Sequence, residues 1–197
     1  MTRDATAFQQ MTDAGLLEAA AGGSHAAFAE IVTRHFQPVY RLVWRMTGGA
    51  ADAEDVAQDA FVKLWKNPSQ LREGAALRGW LMRVAANAVI DGSRRVRPGT
   101  LEDAPEVADP QAMPDAPLDR AEAARLVDSR IAALPERQRL ALSLVYFEGL
   151  SNIEAAAVME VSVDALESLL ARARRSLKES LSAEWRELVG GLAETGQ

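Results

Sequence analysis

Residues 150–166 read Leu150-Ser151-Asn152-Ile153-Glu154-Ala155-Ala156-Ala157-Val158-Met159-Glu160-Val161-Ser162-Val163-Asp164-Ala165-Leu166. The pattern predicts a short helix, a tight turn and a second helix. Ile153, Ala156 and Ala157 supply a small inner face on the first helix, so that two helices can cross closely. Ser162 is placed to cap the second helix, whose buried stripe continues as Leu166, Leu169, Leu170, Ala173 and Leu177. The opposite side of that helix carries Glu167, Ser168, Ala171, Arg172, Arg174, Arg175 and Lys178, four of them basic. A helix lying between two phosphate backbones in a major groove requires such a face. The alternative is an ordinary helical hairpin with a solvated charged face, and the terminal basic cluster favours the nucleic-acid reading.

Upstream, one helix is expected to end near Ala133 and another to start at Pro135. The latter turns Leu140, Leu144 and Val145 inward and stops at Gly149. Before this unit, the stretch from Pro98 to Pro117 holds five of the eight prolines. Gly99 to Leu118 holds five acidic residues and no basic one, the composition of a flexible linker. Its acids either imitate nucleic acid in a positively charged channel or keep a tether soluble; the tether is the simpler reading.

The first half reads as helical too. Ser24 caps a helix whose apolar positions Phe28, Ile31, Val32, Phe36, Val39, Val43 and Met46 run to Gly48-Gly49, with a kink or short break expected at Pro38. A second helix runs from about Asp52 to Asn67-Pro68, with Val56, Ala57, Ala60, Phe61 and Leu64 inward. Its outer side presents Asp55, Gln58, Asp59 and Val62, with Trp65 at the edge. An exposed Val beside acids and a Trp suits a protein interface, or else is a solvated helix with one stray Val. A third helix, Leu77 to Arg95, buries Leu77, Trp80, Leu81, Val84, Ala85 and Ala88. Arg83, Asn87, Ile90 and Arg94 share an offset stripe, with Arg95 and Arg97 just beyond. Arg can neutralise phosphates, Asn can bond base edges, and Trp80 either stacks on an unpaired base or is plain core.

No strand-like alternation of useful length occurs, so the fold class is all-α: two small helical domains joined by the acidic, proline-rich linker, the second containing the helix-turn-helix. The expected divisions are 12–97, linker 98–118, 119–182 and a C-terminal tail 183–197. A chain of 197 residues, 48% apolar and 25% charged, suits this organisation. The net charge of −6 conceals a division, because Arg72 to Arg97 carries six basic and two acidic residues.

Several function classes lose support. Cys is absent, which removes disulfides, zinc thiolates and a thiol nucleophile. His25 and His35 lack a carboxylate three or four residues on, so neither metal nor cofactor is expected, and both read as core edge or surface. No phosphate-binding loop, GxSxG elbow or HExxH occurs, and an enzyme is not expected. No apolar run approaches a membrane span, and Met1 to Gly15 lacks signal-peptide character. A cytoplasmic protein follows.

The stretches Asp52 to Trp65 (Asp-Ala-Glu-Asp-Val-Ala-Gln-Asp-Ala-Phe-Val-Lys-Leu-Trp) and Arg78 to Asp91 (Arg-Gly-Trp-Leu-Met-Arg-Val-Ala-Ala-Asn-Ala-Val-Ile-Asp), followed by Arg94-Arg95, resemble the second region of extracytoplasmic-function (ECF) sigma factors of the sigma-70 family. Leu134 to Arg139 (Leu-Pro-Glu-Arg-Gln-Arg) and the helix-turn-helix ending Ala171-Arg172-Ala173-Arg174 resemble their fourth region. The likeness covers most of Ala14 to Leu181, in the family's order.

The resemblance implies a dissociable subunit that binds core RNA polymerase, directs it to a set of promoters and helps open the DNA without making a bond itself. It assigns core-polymerase binding to Asp55, Gln58, Asp59, Val62 and Trp65. It assigns the melted −10 element to Trp80, Arg83, Asn87, Arg94, Arg95 and Arg97, and a flipped base to the loop Asn67 to Ala76. The −35 element falls to Glu167, Ser168, Ala171, Arg172, Arg174, Arg175 and Lys178. An anti-sigma factor, often membrane-anchored, is the implied further partner, in a stress or envelope response. Glu167 departs from the family, where many members carry Arg or Lys; either the −35 preference differs or Glu167 faces a neighbouring Arg. The rival reading is a self-sufficient helix-turn-helix repressor or activator, which would bind duplex DNA alone and dimerise.

Overall fold

The computed structural model describes residues 7–49, 52–68, 71, 77–96 and 126–194, with backbone alone for 93–96 and 183–194. Arg97, the linker 98–118, and most of the loop Asn67 to Ala76 lie outside the described residues. Among the described residues the regular elements are helical, with no strand.

Helix α1, Asp13–Ala21, starts where Thr12 accepts the Gly15 N–H at 3.3 Å. Helix α2, His25–Thr47, starts on Ser24, whose hydroxyl accepts the Ala27 N–H at 3.2 Å, and stops where Gly48 turns left-handed at φ 70°. A Cβ would be strained at that φ, so Gly is the residue that suits it. Helix α3, Ala53–Lys66, has Glu54 and Asp55 in its first turn, against the positive end of its dipole. Helix α4 is Leu77–Val96. After a helical segment over 126–132, α5 (Glu136–Leu142) widens into a π-turn at Ser143–Phe147. Helices α6, Asn152–Met159, and α7, Val163–Glu194, form the helix-turn-helix, and α7 runs on past residue 182 into the expected tail.

The break expected at Pro38 does not occur: α2 is continuous from His25 to Thr47 with Pro38 inside it. Proline leaves the Arg34 carbonyl without its helical donor, at a cost of about 3 kcal/mol. Ile31, Val39, Leu42 and Val43 are all fully buried on either side, and their packing outweighs that loss. Arg34 also ties the chain start to α2, donating to the carbonyls of Phe8, Gln9 and Met11 at 2.9, 2.9 and 2.8 Å. Its guanidinium is held above the usual Arg range by the hydrogen bond to Glu30, with Asp13 adding to it. His35 is buried, 2.8 Å from Asp13, as a core-edge histidine.

The inner face of α4 is rotated from the expected one. Leu77, Leu81 and Ala85 are buried as predicted, but Met82, Ala86 and Val89 are buried too, while Trp80, Val84 and Ala88 are half-buried. The reason is tertiary: the second helical group packs on the first, and Leu144, Leu150, Ala155, Val158 and Leu166 belong to the same buried cluster as Leu77, Leu81 and Met82. Helix α6 comes so close to α4 that a Cβ on Gly79 would lie 3.5 Å from Val158 Cγ2.

In α6 the inner face is also different. Ile153 is 73% exposed and Ala157 is exposed, while Ala155, Ala156, Val158 and Met159 are buried. A capping box sets this phase: Ser151 Oγ accepts the Glu154 N–H at 3.3 Å, and Glu154 accepts the Ser151 N–H at 2.8 Å. The Ser151 hydroxyl, and then its N–H, hold the Glu154 carboxyl below its ordinary 4.5. A depressed folded value gives stability that is complete above the unfolded value and is lost as pH falls through the folded one. Glu154→Ala should therefore melt lower than the wild type at pH 7, with the gap closing on acidification below pH about 4. Ser151→Ala should cost about 1 kcal/mol in chemical denaturation. A gap that stays constant down to pH about 2 would show that the carboxylate does not support the cap.

Candidate nucleic-acid and protein interfaces

Helix α3 lies against α2 through Ala57, Ala60, Phe61 and Leu64, all buried. That packing turns Asp55, Gln58, Asp59 and Val62 outward, and all four are exposed, Val62 at 43%. Gln58 donates to Glu54 Oε1 at 3.0 Å one turn earlier, which holds its amide along the helix. Trp65 is set apart from them: its ring stands 4.9 Å from that of His25 and edge-on 4.8 Å from that of Phe28. It is half-buried, packed on the start of α2.

On α4, Asn87 is exposed and Trp80 is half-buried. Both line an open groove of about 490 Å³ between α3 and α4, together with Lys63, Lys66, Asn67 and Asp91. Trp80 packs against the core cluster and also lines the groove. The two lysines were missed by sequence reasoning, which used α3 only as a protein interface. Their position in the last turn, one turn apart and next to Asn67, was the available signal. Two ammonium groups beside an indole and an amide make a groove suited to a phosphate with a stacked base. Arg83 does not lie free on this stripe: it pairs with Glu160 at 3.1 Å. Arg94 and Arg95 fall on the described α4 backbone, and Arg97 lies outside the described residues.

In the second group, Ser162 Oγ accepts the Ala165 N–H at 3.2 Å and so starts α7 as expected. Glu160 makes the turn, with a left-handed φ of 53° unusual for a residue with a side chain. Leu166, Leu170 and Ala173 are buried, which presents Glu167, Ser168, Ala171, Arg172, Arg174, Arg175 and Lys178 on the exposed side. Glu167 does not face an Arg; it accepts from the Asn152 side-chain amide at 3.2 Å. Its carboxylate sits at the head of the exposed face, and the basic groups lie one to three turns further on.

A sequence comparison matches residues 31–98 to Sigma-70 region 2 and residues 124–177 to Sigma-70, region 4. The ECF RNA polymerase sigma factor SigM of Mycobacterium tuberculosis is 32% identical over 175 residues, covering 87% of this chain and 86% of that protein. The structure of CnrH in complex with the cytosolic domain of CnrY is similar over 87% of this chain and 97% of that one, with TM-score 0.66 and 30% identity. The sigma factor RpoE in complex with the anti-sigma factor NepR from Bartonella quintana shares the fold at TM-score 0.67 and 22% identity, over 79% of this chain and 96% of that one. Two region models in the family's order, on helices whose outer faces are an acidic apolar patch and two polar and basic surfaces, leave one assignment: the chain belongs to the sigma-70 family, in its ECF group, and acts in promoter-specific transcription initiation.

Proposed function

We propose that the chain binds core RNA polymerase through the Asp55, Gln58, Asp59 and Val62 face of α3 with the outer edge of Trp65. It reads the −10 element with Trp80, Arg83, Asn87, Arg94, Arg95 and Arg97, and the −35 element with the exposed side of α7. It acts by binding alone in the cytoplasm, and chemistry stays with the polymerase. The observation that carries this reading is that Asp55, Gln58, Asp59 and Val62 on α3, and the seven proposed α7 positions, face solvent in a family member. Control by an anti-sigma factor, membrane-anchored or not, is supported by the complexes that CnrH and RpoE form. Among the described residues no helix is long and apolar enough to cross a membrane.

The test is capture of the chain by purified core polymerase, followed by transcription from genomic fragments. Initiation at a restricted set of promoters is expected only with core enzyme present. Tight sequence-specific binding to duplex DNA by the chain alone, as a dimer, would favour the repressor reading instead. For the −10 assignment, Arg94→Ala with Arg95→Ala should weaken holoenzyme binding across promoters. The slope of its logarithm against log salt should fall by up to about two, one for each phosphate that is no longer neutralised. An unchanged slope would mean that these arginines are only solvated.

A further inference from the structure

Among the described residues, Glu167 has no hydrogen-bond partner on its own helix. Three residues earlier stands Asp164, also exposed, and four residues later Ala171. A helical side chain reaches such positions, but here one repels the carboxylate and the other offers no donor. The partner comes from α6 instead: Asn152 Nδ2 donates to Glu167 Oε1 at 3.2 Å. A carboxylate can only accept, so the amide nitrogen faces it and Asn152 Oδ1 is turned away. Both ends of this bond stand on fixed backbone. Asn152 is the first residue of α6, half-buried and held by the reciprocal Ser151 and Glu154 bonds of the capping box. Glu167 follows the Ser162 cap of α7 by little more than one turn, next to the fully buried Leu166, and α6 and α7 pack on each other.

We infer that Asn152 is a positioning residue for −35 selection: its amide fixes the Glu167 carboxylate so that the second oxygen, Oε2, is left to accept from one base edge in the major groove. The inference rests on the reading of α7 as the −35 helix. In the free chain water competes for this exposed bond, but a pair seated in a groove loses that competitor. A glutamate has several rotamers, and one that is held before contact loses less freedom on binding. Without the amide the carboxylate is free to turn away from the negative charge of the flanking phosphates, and the base opposite it goes unread.

Promoter libraries selected with variant holoenzymes test this, beside a melting curve for each free chain. Asn152→Asp keeps the shape of the side chain and puts an acid at the start of α6, where the helix dipole favours it, so melting should not fall. It replaces the donor by a charge that repels Glu167. This variant, like Asn152→Ala, should lower the wild-type preference by about fivefold at the one −35 base pair that Glu167→Ala also alters, and leave the other pairs as selective as before. Joined to Glu167→Gln, Asn152→Asp should regain most of that preference, since the donor then stands on the α7 side chain and its carbonyl oxygen is left for the base. Joined to Glu167→Ala, Asn152→Ala should change nothing further. An Asn152→Ala selection identical to the wild type, where Glu167→Ala departs from it, overturns the positioning role alone. So does a change by Asn152→Ala that persists in the Glu167→Ala background, since the amide would then read DNA itself. If Glu167→Ala selects the wild-type sequence, the −35 reading of Glu167 falls, and the role of Asn152 with it.

Discussion

Gln58→Ala combined with Val62→Asp is expected to lower affinity for core RNA polymerase by about thirtyfold or more while leaving helicity and melting nearly unchanged. Both side chains stand on the solvent side of α3, and neither belongs to the buried cluster formed by Ala57, Ala60, Phe61 and Leu64. Truncating one of the few hot-spot residues near the centre of an interface costs about 2 kcal/mol or more. A carboxylate placed where Val62 becomes dehydrated adds the penalty of an unpaired charge. Equilibrium binding to purified core enzyme, read beside a melting curve of the free variant, checks both halves of the statement. A variant that binds as the wild type does would remove this face from the interface. Trp65→Ala is the poorer probe, because the ring also packs on His25 and Phe28 and its loss would mix stability with binding.

Glu167→Arg is expected to change which −35 sequence is chosen, whereas Arg175→Ala should weaken all promoters alike. Glu167 stands in the first turns of α7 and its only described partner is the Asn152 amide at 3.2 Å, an exposed bond that water replaces readily. A carboxylate accepts from the amino group of cytosine, and a guanidinium donates to guanine, so exchanging them reverses the hydrogen-bond code at one position. Each altered base contact is worth about 1–3 kcal/mol, or roughly five- to 160-fold in promoter preference. Arg175 lies two turns later, and the contact proposed for it is with phosphate, which sets strength and not choice. Selection of a promoter library with each variant holoenzyme reads this out. The same −35 consensus from the wild type and from Glu167→Arg would take Glu167, and the proposed groove placement of α7, out of the mechanism.

Both expectations depend on which side of a helix faces water, and here local pattern and tertiary packing divide the work. The order of helices, the cap at Ser24, the stop at Gly48, the turn before Ser162 and the outward faces of α3 and α7 were legible in the residues alone. Each rests on interactions within about four positions, or on an apolar stripe with one possible inside. The groove on α4 was legible in part, through Trp80 and Asn87. Lys63 and Lys66 complete it from a different helix, and periodicity along one helix cannot indicate what a neighbour contributes.

The sequence by itself therefore determined the helical class, the two regions with their acidic divider, and the family. Tertiary structure decided three things that no local rule contains. Pro38 stays inside a continuous helix because Ile31, Val39 and Leu42 are fully buried around it, and their packing is summed over elements distant in the chain. Met82, Ala86 and Val89 are buried while Ile153 is left in water, because the second group of helices covers a side of α4 that one domain alone would leave open, and the Ser151 cap phases α6. Glu148 reads in sequence as an ordinary acid before a glycine, yet it is the most deeply buried carboxylate described, since its partners Arg41 and Arg45 lie 107 and 103 residues away. A charge can be buried only where opposite charge is already assembled, and that assembly exists only once α2, α4 and the π-turn have met.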